Sequence, residues 1–276
     1  MKVVLFCGGQ GLRAREGLGE GAAHLPKPLQ LVGGRPLLWH VMSWYARFGH
    51  RDFVLCTGFG ADVIRSWFEQ HAVRLEVERD LPGERVLGLV GGDMDGWRVT
   101  LAETGLQSSV GMRLRAVRHL VAGEPLFLAN YSDVFCDISL PELVAEAWSS
   151  GATATFAAVR PNHSFHVVDL APGGEVRAVT PAVESDQWIN GGYFVLRQSV
   201  FDVLGPGEDL VDEPFARLIR RGQLRGHRHR GFWAPMDTAK DRLRLEALWT
   251  SGERPWTRDP DIDLVPSPHS ATAPLC

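Results

Sequence analysis

Long hydrophobic runs are missing from this chain. Val3 to Cys7 is an apolar run of five residues, too short for the apolar region of a secretory leader. No stretch approaches the about 20 apolar residues that span a bilayer. No leader and no membrane partner are expected, and the expected location is the cytoplasm. Cysteine is scarce. The four present, Cys7, Cys56, Cys136 and Cys276, lack the paired spacing of a metal site. Three of them sit beside apolar strand-like runs, which fits buried thiols in a reducing compartment. An excess of positive charge is missing too. The formal net charge is −4, which gives no ground for nucleic-acid binding. The basic stretch from Arg220 to Arg230, with His227 and His229, has no interleaved aromatics for stacking on bases. It has no acidic or Cys partners for a metal either, and reads as a solvated edge strand.

What is there is an ordinary globular composition. The 276 residues are 45% hydrophobic and 22% charged, enough for one large domain or two small ones with a substantial core. The informative stretch comes first. Val3-Val4-Leu5-Phe6-Cys7 reads as a β-strand and stops at Gly8-Gly9-Gln10-Gly11-Leu12-Arg13. Glycines let an anion approach backbone N–H groups without meeting a Cβ, and Arg13 adds a planar fork for phosphate oxygens. Lys27 is a second cation, on a segment that Pro26 and Pro28 hold extended. The pattern points to a nucleoside-triphosphate site at the end of the first strand.

Two other phosphate loops compete with that reading. The stretch is not a P-loop, because Leu12-Arg13 stands where Lys-Ser/Thr is required. Gly9-x-Gly11-x-x-Ala14 satisfies the dinucleotide fingerprint, but Gly17, Gly19 and Gly21 follow in place of the helix that fingerprint opens. An NAD(P)-binding oxidoreductase stays as an alternative. It needs an acid at the end of the second strand, and there the first acid is Asp62. A tight surface turn is the plainer reading of the glycines alone.

Farther on, Pro36 with Leu37, Leu38, Val41, Met42, Tyr45 and Phe48 at helical spacing predicts a helix over 36–48. Asp52 to Thr57 reads as a strand, Ile64, Trp67 and Phe68 mark a second helix, and Val73 to Glu78 is a short third strand. This order implies parallel pairing with right-handed crossovers. Glycine-rich residues 80–96 read as a loop or hairpin. Trp97 to Leu101 is a strand, and a helix follows Ser108-Ser109 to about Val121. Pro125 to Asn130 is a buried central strand ending in Tyr131-Ser132-Asp133. A carboxylate there sits where α/β ligands bind and suits Mg2+ beside substrate phosphates; a turn or cap is the plainer role for Asp133. From 151 the pattern turns to strands at 152–159, 165–170, 175–180 and 189–196, antiparallel in part. Residues 198–204 and 213–221 read as helical. Thr238-x-x-Asp241 is a capping box, which puts Asp237 at a fixed helix entry.

The first glycine stretch, then Lys27-Pro28, then Gly33-Gly34-Arg35-Pro36-Leu37-Leu38-Trp39-His40 together resemble the signature of the sugar-1-phosphate nucleotidyltransferases. Within them the chain is most similar to the glucose-1-phosphate cytidylyltransferase branch, from Met1 to about Trp256. The resemblance implies an α/β fold of GT-A-like type: a Rossmann-like, mostly parallel sheet flanked by helices, with a β-rich acceptor-binding insertion. It implies one domain over 1–256, with a nucleotide-binding part at about 1–150 and an acceptor-binding part at about 151–256. Residues 257–276 are expected to be a disordered tail.

The implied reaction joins an NTP, CTP above the others, to a sugar 1-phosphate and releases pyrophosphate, with Mg2+ as cofactor. Arg13 and Lys27 would be the catalytic cations. Phe6, Gly8, Gly9, Gln10, Gly11, Thr104, Ser109, Gly111 and Ser132 would meet the nucleotide, and Asn190, Gly191 and His166 the acceptor. Asp133 and Asp237 would hold the metal. For 104–111, helix capping by Ser108 or Ser109 is the plainer reading. For Asn190 it is a β-turn or bulge shaped by Gly191-Gly192. Self-assembly into a homo-oligomer stays open.

The sequence departs from that family's pattern in three places. A Glu-Lys-Pro, whose lysine would grip the sugar phosphate, is replaced by Thr180-Pro181-Ala182-Val183-Glu184-Ser185, with no lysine nearby. His166 stands where a small glycine is implied, and an imidazole there would crowd a glucose ring. Ser132 replaces a glycine before Asp133. The acceptor is therefore expected to differ from plain glucose 1-phosphate, or to be held differently. Arg160, His163 and His166 are candidate replacement donors, each with a plainer surface or core role. A non-catalytic nucleotide-binding regulatory subunit is the second alternative.

Overall fold

The computed structural model describes residues 1–9, 25–161 and 166–257. Gln10, Gly11, Arg13, His163 and the tail from 258 onward lie outside the described residues. β1 (Val3–Phe6), β2 (Leu31–Val32) and β3 (Arg35–Pro36) precede α1 (Leu37–Arg47). Next come β4 (Asp52–Thr57), α2 (Ala61–His71), β5 (Arg74–Leu81), β6 (Glu84–Val90), β7 (Arg98–Glu103) and α3 (Val110–Ala116). The middle of the chain forms β8 (Leu126–Asn130), β9 (Val134–Cys136), α4 (Leu140–Ser150) and β10 (Ala154–Val159). The remainder forms β11 (His166–Leu170), β12 (Val176–Pro181), β13 (Ile189–Arg197), α5 (Glu213–Arg220), β14 (Leu224–His229), β15 (Trp233–Pro235) and α6 (Ala239–Ser251).

Nine strands form one sheet in the order β14-β10-β13-β8-β1-β4-β7-β6-β5. β1 pairs in parallel with β4 and β8, as β4 does with β7 and β10 with β14. β13 and β6 run antiparallel to their neighbours. The central strand β1 is buried on both faces, as its unbroken apolar run requires. Val3, Leu5 and Cys7 pack with α1, while Val4 and Phe6 pack with α3 and α5. Cys7, Cys56 and Cys136 are free buried thiols, and burial pushes Cys7 and Cys136 up to about 12. Cys276 lies outside the described residues. No helix among the described residues is long and apolar enough to cross a membrane.

The expected strand at 73–78 is longer and turns at Pro82–Gly83 into β6, so the glycine-rich stretch is a hairpin on the sheet edge. The expected helix at 198–204 is a 3-10 turn over Gln198–Asp202. Both halves of the chain share the one sheet, because β10, β13 and β14 extend it beyond β8. Three two-stranded ladders stand apart from it among the described residues, β2–β3, β9–β15 and β11–β12, and the last is a ribbon whose residues are largely exposed. β14 is the edge strand that its basic sequence predicts. Thr257, the first residue of the expected tail, closes a 3-10 turn over Pro255–Thr257.

α1 buries Leu37, Leu38, His40, Val41, Met42, Trp44 and Tyr45, the spacing of one helical face. His40 is 3% exposed. Its Nε2 donates to Val32 O at 2.9 Å, and Trp39, Phe135, Trp249 and Trp256 surround the ring. Burial lowers the His40 pKa from 6.5 to about 4. The unfolded chain therefore takes up this proton at a higher pH than the folded one. The stability of the neutral form is full above pH 6.5 and falls by about 3 kcal/mol as the pH drops to about 4. His40→Gln should flatten that part of the stability–pH curve in urea titrations. A wild-type-to-variant difference that stays constant over the window would show that His40 is not the titrating group.

Candidate functional site

The carboxyl ends of the parallel strands lie at one edge of the sheet, the edge at which open α/β folds place ligands. Three predicted residues meet there. Lys27 Nζ donates to Asp133 Oδ2 at 2.6 Å and to Asp237 Oδ1 at 2.7 Å. Each partner has its own support. Lys27 opens a 3-10 turn, Lys27–Leu29, behind Pro26, so the segment is extended only up to Pro26 and then turns. Asp133 follows β8. Asp237 precedes α6, where Thr238 and Asp241 form the expected capping box.

The antiparallel β9–β15 ladder brings the two carboxylates together. It pairs Trp233 with Cys136, Ala234 with Phe135 and Pro235 with Val134, and Met236 N then donates to Asp133 O at 2.9 Å. Burial opposes the charge on Lys27, but Asp133 and Asp237 outweigh it and hold its pKa above the usual lysine value. Two carboxylates converging on one cation are hard oxygen donors, and Mg2+ takes one or two such groups together with substrate phosphates and water. The pair fits Mg2+ on that basis. No cluster of three or more His, Cys, Asp or Glu that could hold a metal occurs among the described residues.

Ser132 adopts φ 65°, in the left-handed region. A glycine takes this conformation freely, whereas a serine there costs roughly 1–3 kcal/mol. Two hydrogen bonds oppose that cost: Ser132 N donates to Asn130 Oδ1 at 2.6 Å and Ser132 Oγ to Phe6 O at 2.8 Å.

Gly8, Thr104 and the loop after β4 are tied by Arg113, which the sequence did not mark as a site residue. Arg113 is 4% exposed. It donates to Gly8 O at 3.0 Å, Thr57 O at 3.2 Å, Thr104 Oγ1 at 2.8 Å and Leu106 O at 3.5 Å. No carboxylate pairs with it among the described residues, and burial lowers its pKa. A Cβ on Gly8 would stand 1.9 Å from Arg113 Nη1, so Gly8 is needed for this packing. Gly9 has open space around its Cα and is exposed. The loops after β4 and β7 frame a cleft of about 380 Å³ lined by Gly58, Gly60, Glu103, Gly105 and Leu106 among others.

Ser109 caps α3, accepting from Met112 N at 3.2 Å and donating to Glu208 O at 2.8 Å. Gly111 packs against Glu208 O. The structure therefore gives both residues partners on the 205–210 segment. A larger cavity of about 440 Å³, lined by Trp39, Trp44, Trp97 and Trp256 among others, contains none of the predicted site residues.

Among the residues expected to meet the acceptor, Asn190 Nδ2 donates to the Tyr131 hydroxyl at 2.9 Å, and its Oδ1 accepts from Gly192 N at 2.9 Å. Gly191 O accepts from Trp233 Nε1 at 2.9 Å. The β10–β13 register shifts between Phe156 and Ala158, so Gly191-Gly192 lie in the bulge that their sequence suggested. His166 is exposed and opens the β11–β12 ribbon opposite Pro181. Arg160, one of the candidate donors, is committed to Ser185 O, Gln187 O and Asp186.

Solved structures share this fold. One is a putative glucose-1-phosphate thymidylyltransferase from Bacillus anthracis, with TM-score 0.66 and 17% identity, covering 92% of this chain and 95% of that one. Another is a UTP-bound UGPase from Acinetobacter baumannii, with TM-score 0.61 and 16% identity, covering 90% and 92%. The fold is thus the GT-A-like fold of the nucleotidyltransferases. No family model matches the chain. Over 258 residues it is 34% identical to glucose-1-phosphate cytidylyltransferase of Salmonella typhimurium, covering 93% of this chain and 98% of that one. It is 31% identical over 261 residues to the probable enzyme of Bacillus subtilis, covering 93% and 99%. The chain belongs to the glucose-1-phosphate cytidylyltransferase family, within the sugar-1-phosphate nucleotidyltransferases. That membership sets aside the NAD(P) oxidoreductase alternative and makes the chain an enzyme rather than a regulatory subunit.

Arg113→Met would remove a buried guanidinium and its bonds to Gly8 O, Thr57 O and Thr104 Oγ1, leaving Phe59 N on Gly8 O and Thr104 N and Oγ1 on Thr57 O. The expected loss is about 3 kcal/mol in urea unfolding. Gly8→Ala should lose a comparable amount by displacing the same guanidinium. Unfolding midpoints equal to wild type would remove Arg113 as the tie between these loops.

Proposed function

We propose that the chain transfers a cytidylyl group from CTP to a sugar 1-phosphate other than plain glucose 1-phosphate, with Mg2+ at Asp133 and Asp237. The observation that carries this reading is the convergence of Lys27, Asp133 and Asp237 at one point of the carboxyl edge. The named activities of the Salmonella and Bacillus relatives support CTP. The absent lysine at 180–185 supports a different acceptor or a different grip on it.

An oxygen of the acceptor phosphate attacks the α-phosphorus in line. The bond from that phosphorus to its bridging oxygen breaks, and pyrophosphate leaves with the bridging oxygen. Side chains form no bond to phosphorus, so their work is positioning and charge neutralisation. Lys27 meets the α-phosphate. The Gly8 and Gly9 N–H groups, with Gln10, Gly11 and Arg13, meet the leaving phosphates. Phe6, Thr104, Ser109, Gly111 and Ser132 belong to the nucleotide side, and Asn190, Gly191 and His166 to the acceptor side. Bound Mg2+ supplies further neutralisation of phosphate charge.

Pyrophosphate release with CTP, UTP, dTTP, ATP and GTP against a panel of sugar 1-phosphates tests the reading. CTP should be fastest, and the best acceptor should not be glucose 1-phosphate. Lys27→Met and Asp133→Asn should each lower kcat at least about tenfold, which is about 1.4 kcal/mol, and Asp133→Asn should also weaken Mn2+ binding. A different preferred nucleotide, or glucose 1-phosphate as best acceptor, would overturn the corresponding half.

A further inference from the structure

The acceptor end of the sheet carries an arrangement that the reaction described above does not use. Three guanidinium groups surround the half-buried Trp188: Arg160 at 4.4 Å, Arg228 at 5.6 Å and Arg230 at 5.5 Å from the ring centroid. The strand register explains why they meet. Asn190, Ala158 and Arg228 form one row across β13, β10 and β14, so their side chains share a face. Val159, Ile189 and His229 form the next row, on the opposite face. One step farther, past the ends of the ladders, come Arg160, Trp188 and Arg230, back on the face of Asn190.

The three arginines are not equivalent. Arg160 is neutralised by Asp186 at 3.1 Å and holds the carbonyls of Ser185 and Gln187. Arg228 and Arg230 are exposed, and neither makes a hydrogen bond or ion pair among the described residues. Two cations at one indole repel each other, and an arrangement of this kind is relieved by an anion. A guanidinium within about 6 Å of an indole centroid is attracted to the ring face and keeps N–H groups available for a bidentate contact with an oxyanion. Ala158 puts only a methyl group between Asn190 and Arg228. Strands lie about 4.8 Å apart, so these two residues are separated by about 10 Å, a span that one sugar phosphate and an arginine side chain can bridge. The chain has no lysine between Lys27 and Lys240. A fixed positive charge offered from this half of the sheet must therefore come from arginine.

We propose that Arg228 and Arg230, held on Trp188, form an oxyanion clamp for the acceptor, beside Asn190. The clamp grips the sugar's 1-phosphate or a carboxylate on the sugar ring. It rests on the reading of the Asn190 edge as the acceptor side.

The test uses the full chain with Mg2+ and saturating CTP, and two probes, glucose 1-phosphate and glucuronic acid 1-phosphate. Arg228→Gln and Arg230→Gln should each raise the acceptor KM at least tenfold, with kcat changed less than threefold and the CTP KM unchanged. Arg225→Gln, on β14 but on its other face, removes the same charge as a control and should leave all three unchanged. Equal losses with both probes assign the clamp to the phosphate; a loss confined to glucuronic acid 1-phosphate assigns it to the carboxylate. Calorimetric Kd values for the same probes are measured alongside, without turnover. Absent pyrophosphate release with variant Kd values still raised would count against the transferase reading and leave the clamp standing. Variant Kd values equal to wild type, no binding of either probe, or an equal rise in the CTP KM would overturn the clamp.

Discussion

The Lys27 ammonium shared by Asp133 and Asp237 is the constraint around which the carboxyl edge is arranged. Two carboxylates held this close repel unless a cation lies between them, and the three residues come from sequence positions more than a hundred residues apart. Each is therefore delivered by a separate device. The Pro26 cap and 3-10 turn deliver Lys27, the end of β8 delivers Asp133, and the capping box of α6 delivers Asp237. The β9–β15 ladder closes the gap between the last two. In the proposed reaction the same donor set would meet the charge changes of nucleotide binding, with the ammonium and Mg2+ both drawn to arriving phosphates.

The neighbouring loops are held by the opposite arrangement. Arg113 is a buried cation with no acid paired to it among the described residues, satisfied by carbonyls at the carboxyl ends of β1, β4 and β7 and by Thr104. Such a charge cannot be left partly bonded, because every lost contact exposes an ion to a poorly solvating interior. The three loops are thereby locked to one another. This also explains two glycines that phosphate chemistry alone does not: a Cβ on Gly8 or on Gly58 would run into Arg113 at 1.9 Å or 2.9 Å.

Much of the fold was legible because its periods are strong. The run Val3–Phe6, the helical face of α1 and the strand Asp52–Thr57 all appear where the pattern puts them. The capping box at Thr238 was legible because it is a local rule in four residues. The approach of Asp133 to Asp237 was not, since it depends on two three-residue strands too short to show a period. Arg113 was hidden for a different reason. On a seven-residue helix it looks like any surface arginine, and only the sheet order reveals that it points at three loop carbonyls. The hairpin at β5–β6 was half legible: its glycines announce a turn but conceal the strand after it.

The two sides of the edge are free to change to different degrees. The proposed nucleotide side is built from buried backbone, from Phe6 and Ser132 to Arg113, where a substitution leaves a buried polar group unpaired and costs stability. The proposed acceptor side includes β14, an edge strand, and the exposed β11–β12 ribbon. There the backbone ladder fixes position while the exposed side chains contribute little to stability, generally within about 0.5 kcal/mol. A lysine can be lost at 180–185 and arginines placed at 228 and 230 without disturbing the core. Freedom to change the proposed acceptor contacts, and little freedom to change the proposed nucleotide contacts, follow from where burial falls along one continuous sheet.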